Sequence, residues 1–140
     1  MELIYAYKDY KVIADRIDEI EKETNAIIGA KEGESDWPRY HALWDERYKL
    51  EEQIDKMRPQ LIPEVGMPCT VYWFSDSSGA HIEKIISPKC VQVKCDGLYH
   101  CTKTFTHRKT GRWVEKHTTS RDPGTTLALG YRHDYFDESF

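Results

Sequence analysis

Cys90-Val91-Gln92-Val93-Lys94-Cys95-Asp96-Gly97-Leu98-Tyr99-His100-Cys101 decides the reading of the second half of this chain. Val91, Val93 and Cys95 alternate with polar residues, and Asp96-Gly97 suits the positive φ angles of a two-residue type I′ turn, so the stretch predicts a β-hairpin. Upstream, Cys69-Thr70-Val71-Tyr72-Trp73-Phe74 is β-branched and aromatic on both faces, as in a strand covered on both sides. Asp76-Ser77-Ser78-Gly79 then supplies turn chemistry. Further strands are expected over 80–86, 98–106, 112–118 and 125–131, with a second turn at Arg108-Lys109-Thr110-Gly111. Six short strands with tight turns and no helical period predict a small antiparallel sheet or barrel over residues 69–140.

Ahead of this region, Ile62-Pro63-Glu64-Val65-Gly66-Met67-Pro68 cannot continue a helix and reads as a linker. Residues 1–61 have a different period. Leu3, Ala6, Tyr10, Ile13, Ile17, Ile20, Thr24 and Ile27 are spaced alternately by three and four, the a/d pattern of a heptad repeat. Tyr40, Leu43, Arg47, Leu50, Ile54, Met57 and Leu61 repeat it after a break at Gly33-Glu34-Ser35, with Asp36 able to cap the second helix and Pro38 in its first turn. The chain is therefore expected to be α+β: an N-terminal antiparallel two-helix coiled coil followed by a small β domain of about six strands. Folding back at the break sets Arg47 opposite Ile20, within reach of Glu19 or Glu23. Tyr5, Tyr7, Trp37 and Trp44 lie off both seams and, with Arg47, mark a face for the β domain, for a second copy in a four-helix bundle, or for a partner.

A length of 140 residues and a formal charge of −4 fit one small domain with an appendage. No apolar run approaches the roughly 18 residues of a membrane span, and Glu2 and Asp9 lie where a signal peptide would be basic and then apolar, so a cytoplasmic protein without a membrane partner is expected. The charge is unevenly divided. Residues 1–63 carry 15 acidic and 10 basic side chains, whereas residues 64–140 carry 9 and 10. A near-neutral β domain behind an acidic arm excludes a broad DNA-coating surface but leaves room for a small anionic ligand.

Cys90, Cys95, His100 and Cys101 invite a zinc reading. A two-residue turn at Asp96-Gly97 would put Cys90 and Cys101 on one face of the ribbon and Cys95 and His100 on the other, and paired knuckles are missing, so no metal or other cofactor is expected. No G-x-S-x-G, H-E-x-x-H or phosphate-binding glycine loop occurs, and the histidines are scattered, so the chain reads as a non-enzyme. The densest polar cluster interleaves Arg112, Trp113, Arg121, Arg132, His133 and Tyr135. Guanidinium groups among aromatic rings can clamp a phosphate and stack a base, which makes these the candidate binding residues. The competing expectation is structural, with Trp113 in the core and Tyr135, Phe136 and Phe140 closing the barrel.

Val71-Tyr72-Trp73-Phe74-Ser75-Asp76, Ala80-His81-Ile82-Glu83-Lys84-Ile85, Ser87-Pro88-Lys89, Gly111-Arg112-Trp113-Val114 and Leu127-Ala128-Leu129-Gly130-Tyr131-Arg132-His133-Asp134-Tyr135-Phe136-Asp137 together resemble small proteins of unassigned role encoded in bacteriophage and prophage genomes. The resemblance spans residues 66–140, with the ending its most distinctive part, and leaves out the helical arm. It implies a phage context and transfers no catalytic residue. Small acidic phage proteins without an enzyme signature are often inhibitors of host machinery, including anti-CRISPR and other counter-defence proteins. The expectation is a phage accessory protein that binds a host defence protein, with the arm forming a homodimer or docking. The other expectation is a sponge for a nucleotide signal or single-stranded nucleic acid.

Overall fold

The computed structural model describes residues 2–29, 36–116 and 124–137. Two helices precede six strands: α1 (Tyr7–Ile28), α2 (Trp37–Met57), β1 (Pro68–Tyr72), β2 (Ser77–Ser87), β3 (Cys90–Asp96), β4 (His100–His107), β5 (Trp113–Glu115) and β6 (Thr126–Leu129). A 3₁₀ turn at Arg58–Gln60 follows α2. The chain divides into two compact units, Lys8–Met57 and the described parts of Met1–Tyr7 with Arg58–Phe140.

The helical unit is an antiparallel pair. Ile20, Ile27 and Leu43 form its buried cluster, with Tyr40 and Leu50 packed against them, all of them seam positions. Two inter-helix ion pairs accompany the antiparallel order, Arg16 with Glu46 at 2.8 Å and Arg39 with Glu23 at 3.7 Å. Arg47 takes neither Glu19 nor Glu23. It pairs with Glu51 one turn along its own helix at 3.0 Å and lies over the Trp44 ring, 5.2 Å from its centroid. An i,i+4 partner on the same helix needs no inter-helix reach, which explains the choice. Asp36 accepts the Arg39 N–H at 3.1 Å, the capping contact its position predicts.

The helical period of the first residues is overridden. Leu3 and Ala6 precede α1, because Tyr5 forms a parallel bridge with Leu61, and Ile4 and Tyr5 both donate their N–H groups to the Gln60 carbonyl at 2.9 and 3.0 Å. Backbone groups paired outside a helix cannot also serve its ladder.

The six strands form a closed antiparallel barrel in sequence order, with β1 bonded to both β2 and β6. Alternation sends Val71, Ile82, Val91, Val93, Phe105, Leu127 and Leu129 inward, each at most 6% exposed. Thr70, on the opposite face of β1, is also fully buried and donates its hydroxyl to the Tyr131 carbonyl at 2.7 Å, so the strand is covered on both sides as its composition predicts. β1 stops two residues early, however. Trp73 donates its N–H to the Asp76 carbonyl at 2.9 Å, closing a turn that carries Phe74 into solvent.

The hairpin at Asp96-Gly97 exists with a different turn. Cys95 pairs with Cys101 and Asp96 with His100, so Gly97, Leu98 and Tyr99 form a three-residue loop. Gly97 is not among the glycines with positive φ. Its constraint is crowding: a Cβ there would collide with the Asp134 carboxylate and lie 2.9 Å from the Gly79 nitrogen. Positive φ is instead required at Gly111 (89°), which ends the β4–β5 turn by donating its N–H to the Arg108 carbonyl at 2.9 Å. Gly97→Ala should therefore cost about 1–3 kcal/mol by overpacking, read as a lower urea midpoint at unchanged slope. A variant as stable as the parent contradicts the crowding.

Candidate functional site

The C-terminal segment that follows β6 runs across the barrel and ties strands together. Asp134 does this most directly: its Oδ1 accepts the Gly79 N–H at 2.8 Å and the Leu98 N–H at 2.7 Å, linking β2 to the β3–β4 loop. Arg132 pairs with Asp96 at 2.7 Å, and His81 Nδ1 lies 3.1 Å from the other Asp96 oxygen. Ser77 donates its hydroxyl to the His133 carbonyl at 2.9 Å, and Ser77 and Tyr135 exchange backbone hydrogen bonds, both 2.9 Å. Tyr135 and Phe136 thus contribute backbone to this strap while their rings stay 52% and 55% exposed.

The proposed Arg and aromatic cluster is consequently divided. Arg132 is committed to Asp96, and His133 stacks on Tyr135 with rings 10° apart in plane and 6.3 Å between centroids. Arg112 and Trp113 lie at the start of β5, where Trp113 is 2% exposed and packs on His107 at 4.9 Å. Arg121 lies outside the described residues. Of the helical candidates, Tyr5 pairs with Leu61, Tyr7 opens α1, and Trp37 and Trp44 remain 51% and 44% exposed.

Among the described residues, the concavities of the barrel include three of note. A shallow one of about 140 Å³ is bordered by Trp73, Phe74, His133 and Tyr135. A second of about 470 Å³ is lined by Trp73, Asp76, Tyr99, His100, Cys101 and Lys103. In it, Trp73 and Tyr99 lie 4.8 Å apart, and the Tyr99 hydroxyl donates to Asp76 at 2.6 Å, which raises its pKa. Its cation is neutralised, since Lys103 pairs with Glu115 at 2.9 Å. Burial pushes the Glu115 carboxyl up, but Lys103 and the Thr125 N–H and hydroxyl together bring it below its ordinary value. The third, of about 190 Å³, is lined by Arg58, Tyr72, Arg112 and Trp113 with β6. Sequence reasoning found Arg112 and Trp113 but missed Arg58, Trp73 and Tyr99, which are distant in sequence or hidden in strand and loop positions without a motif.

The cysteines correct the face assignment made from a two-residue turn. The longer loop shifts the register, so Cys95 faces Cys101 directly, and Cys69, Ala80, Cys95 and Cys101 form one inward row across β1–β4. Cys90 pairs with Thr106 and stands outside that row. Sharing a face is not sufficient for metal binding: among the described residues no group of three His, Cys, Asp or Glu side chains is placed to hold a metal ion. Burial pushes Cys69 and Cys95 up to about 12, and the hydrogen bond with Cys101 adds to the shift of Cys95. Burial thus disfavours the thiolate, the reactive form of cysteine, at both positions. Burial lowers the pKa of His107, opposed by the hydrogen bond between its Nε2 and the Pro59 carbonyl at 3.1 Å.

Comparison with protein-family models, with curated proteins and with solved structures found no match to this chain.

Two outcomes follow from these placements. The N–H groups of Gly79 and then Leu98 hold Asp134 below the ordinary carboxylate range. Its stabilisation is therefore complete above the unfolded carboxylate pKa and disappears as pH falls through the lower folded value. Asp134→Ala should cost about 1 kcal/mol at neutral pH, a modest figure because the carboxylate is exposed. The difference from wild type in urea unfolding should vanish in acid, and a difference independent of pH contradicts the carboxylate's role. Cys69 and Cys95 should resist a thiol reagent such as DTNB in the folded protein and react only as fast as the barrel opens. Prompt labelling of either, located by mass mapping, contradicts their burial.

Proposed function

We propose that this chain is a non-enzymatic phage accessory protein that inhibits host defence, of the anti-CRISPR or another anti-defence type, by binding a host protein. The observation that carries the reading is Phe74. A turn tied by its own backbone hydrogen bond presents this ring 98% exposed, beside Tyr135 at 52%, with Phe136 at 55% in the same C-terminal strap. Large exposed aromatic side chains on a rigid scaffold mark interaction surfaces, and such residues dominate protein–protein binding energies. The phage context rests on the resemblance of residues 66–140.

The helical arm serves as the oligomerisation or docking element. On α2, Trp37, Trp44 and Tyr48 are 51%, 44% and 65% exposed, and their spacing of seven and four aligns them on one face flanking the seam. That face suits a homodimer or a host surface. No described helix is long and apolar enough to cross a membrane.

A second reading, a sponge for a nucleotide signal or single-stranded nucleic acid, is favoured by the cavity that places Arg112 and Trp113 together with a further arginine, Arg58.

The deciding experiment expresses the protein in bacteria carrying an active CRISPR or restriction system and counts plaques. Wild type should raise plaquing efficiency, and Phe74→Ala should remove most of that gain. The defence component should be retained on wild-type protein about 30-fold more tightly than on Phe74→Ala, the ~2 kcal/mol expected of an aromatic anchor. Since the ring is solvent-exposed, melting temperature should not change. Protection that is absent, or unaffected by Phe74→Ala, refutes the reading.

A further inference from the structure

The β1–β6 seam and the β4–β5 turn border a concavity lined by two arginines. Arg58, from the 3₁₀ turn, and Arg112, next to β5, both line it, together with Tyr72, Trp113 and Thr126–Leu129 among others. No carboxylate is among its described lining residues. Arg58 is positioned by its stack on Tyr131, with the guanidinium carbon 4.5 Å from the ring centroid. Tyr131 is itself braced by hydroxyl contact with Tyr72 at 2.5 Å. Arg112 is exposed and has no carboxylate partner among the described residues, in contrast with Arg16, Arg39, Arg47 and Arg132, each of which is paired. Arg108 and Lys109, exposed in the adjoining turn, add positive charge, and Glu115, the nearest acid in β5, is engaged by Lys103.

We propose that the cavity between Arg58 and Arg112 binds the phosphate group of a small phosphate-bearing ligand. Arg112, with no carboxylate partner among the described residues, offers guanidinium donors at a concavity that Arg58 also lines, and charge-assisted hydrogen bonds from a guanidinium to a phosphate oxygen are among the strong ones. A volume of about 190 Å³ accommodates a phosphate and part of an attached group rather than a whole dinucleotide. Tyr72 offers a ring beside the anion, and the Trp113 ring forms part of the wall. The indole N–H of Trp113 is buried without a hydrogen-bond partner among the described residues, so its environment reports any acceptor that enters. The inference rests on the nucleotide reading and deepens it, by assigning the site and the recognised group; it is independent of the Phe74 surface.

The test uses the full chain labelled with ¹⁵N. The four tryptophans give four indole N–H resonances, and Trp113→Phe identifies the one that matters. Orthophosphate, AMP and adenosine are the probes. The Trp113 resonance should move with AMP and not with adenosine; movement with orthophosphate as well means that the phosphate alone suffices, and movement with AMP only means that the nucleoside contributes. Arg112→Ala should weaken binding by roughly tenfold or more, Arg112→Lys should retain an intermediate affinity, and added salt should weaken all of them. Because Arg112 is exposed, these variants should melt with the parent. If AMP raises the melting temperature while Trp113 stays still, a nucleotide site lies elsewhere and this assignment falls alone. If AMP neither binds nor shifts any resonance, the assignment falls with the nucleotide reading. Equal movement with adenosine, or in Arg112→Ala, also overturns it.

Discussion

The pairing of β1 with β6 closes the barrel, and most other features of the domain depend on it. Cys69–Tyr72 runs antiparallel to Thr126–Leu129, so a strand that would otherwise be an edge is bonded on both sides. Closure removes the exposed N–H and C=O groups that make open sheets prone to pairing with other chains. It also gives Val71, Phe105, Trp113 and Leu127 one shared interior, which six short strands could not enclose as an open ribbon. The chain leaving β6 is delivered at Gly130 and Tyr131 to the outer face of β1, where it buries Thr70.

From that point the strap assigns roles to residues whose chemistry alone is ambiguous. The Tyr131–Asp137 run looks rich in ligand-binding groups, yet Arg132 neutralises Asp96, Asp134 receives two backbone N–H groups, and Asp137 donates its own N–H to Asp76. The charged members of the motif thus hold loops in place, Tyr131 packs against Tyr72 and Arg58, and the rings of Tyr135 and Phe136 are left about half exposed. An exposed ring on a fixed backbone loses little conformational freedom on binding, which favours interaction at such a site. Arg112, by contrast, sits where no carboxylate of the described chain reaches it, beside Arg58. The surface accordingly holds two different chemistries, an aromatic rim and a cationic hollow, supplied by different elements.

Several assignments were legible from residue order because they rest on local physics. Heptad spacing identifies Ile20, Ile27 and Leu43 as one cluster, and alternation identifies the inward residues of β3. The six strand positions follow from β-branched runs separated by turn residues. Where local signals competed, the outcome was different. Leu3 and Ala6 fit the heptad, but backbone pairing with residues 60–62 took them out of the helix. Asp96-Gly97 fits a two-residue turn, but space near Asp134 selected a longer loop, and that single shift moved every predicted partner in the hairpin.

Sequence by itself therefore determined the class of the protein, a heptad helix pair ahead of six antiparallel strands, because periods of 3.5 and 2 are properties of neighbouring residues. It also determined that charge is concentrated in the arm. Only the tertiary structure decided which groups remain available for binding. Arg132 and Arg112 are equivalent as letters, and they differ because one meets a carboxylate 36 residues away and the other does not. Phe74 looks like a buried strand residue until the turn at Trp73–Asp76 is in place. Such distinctions depend on contacts between residues remote in the chain, which no local pattern encodes.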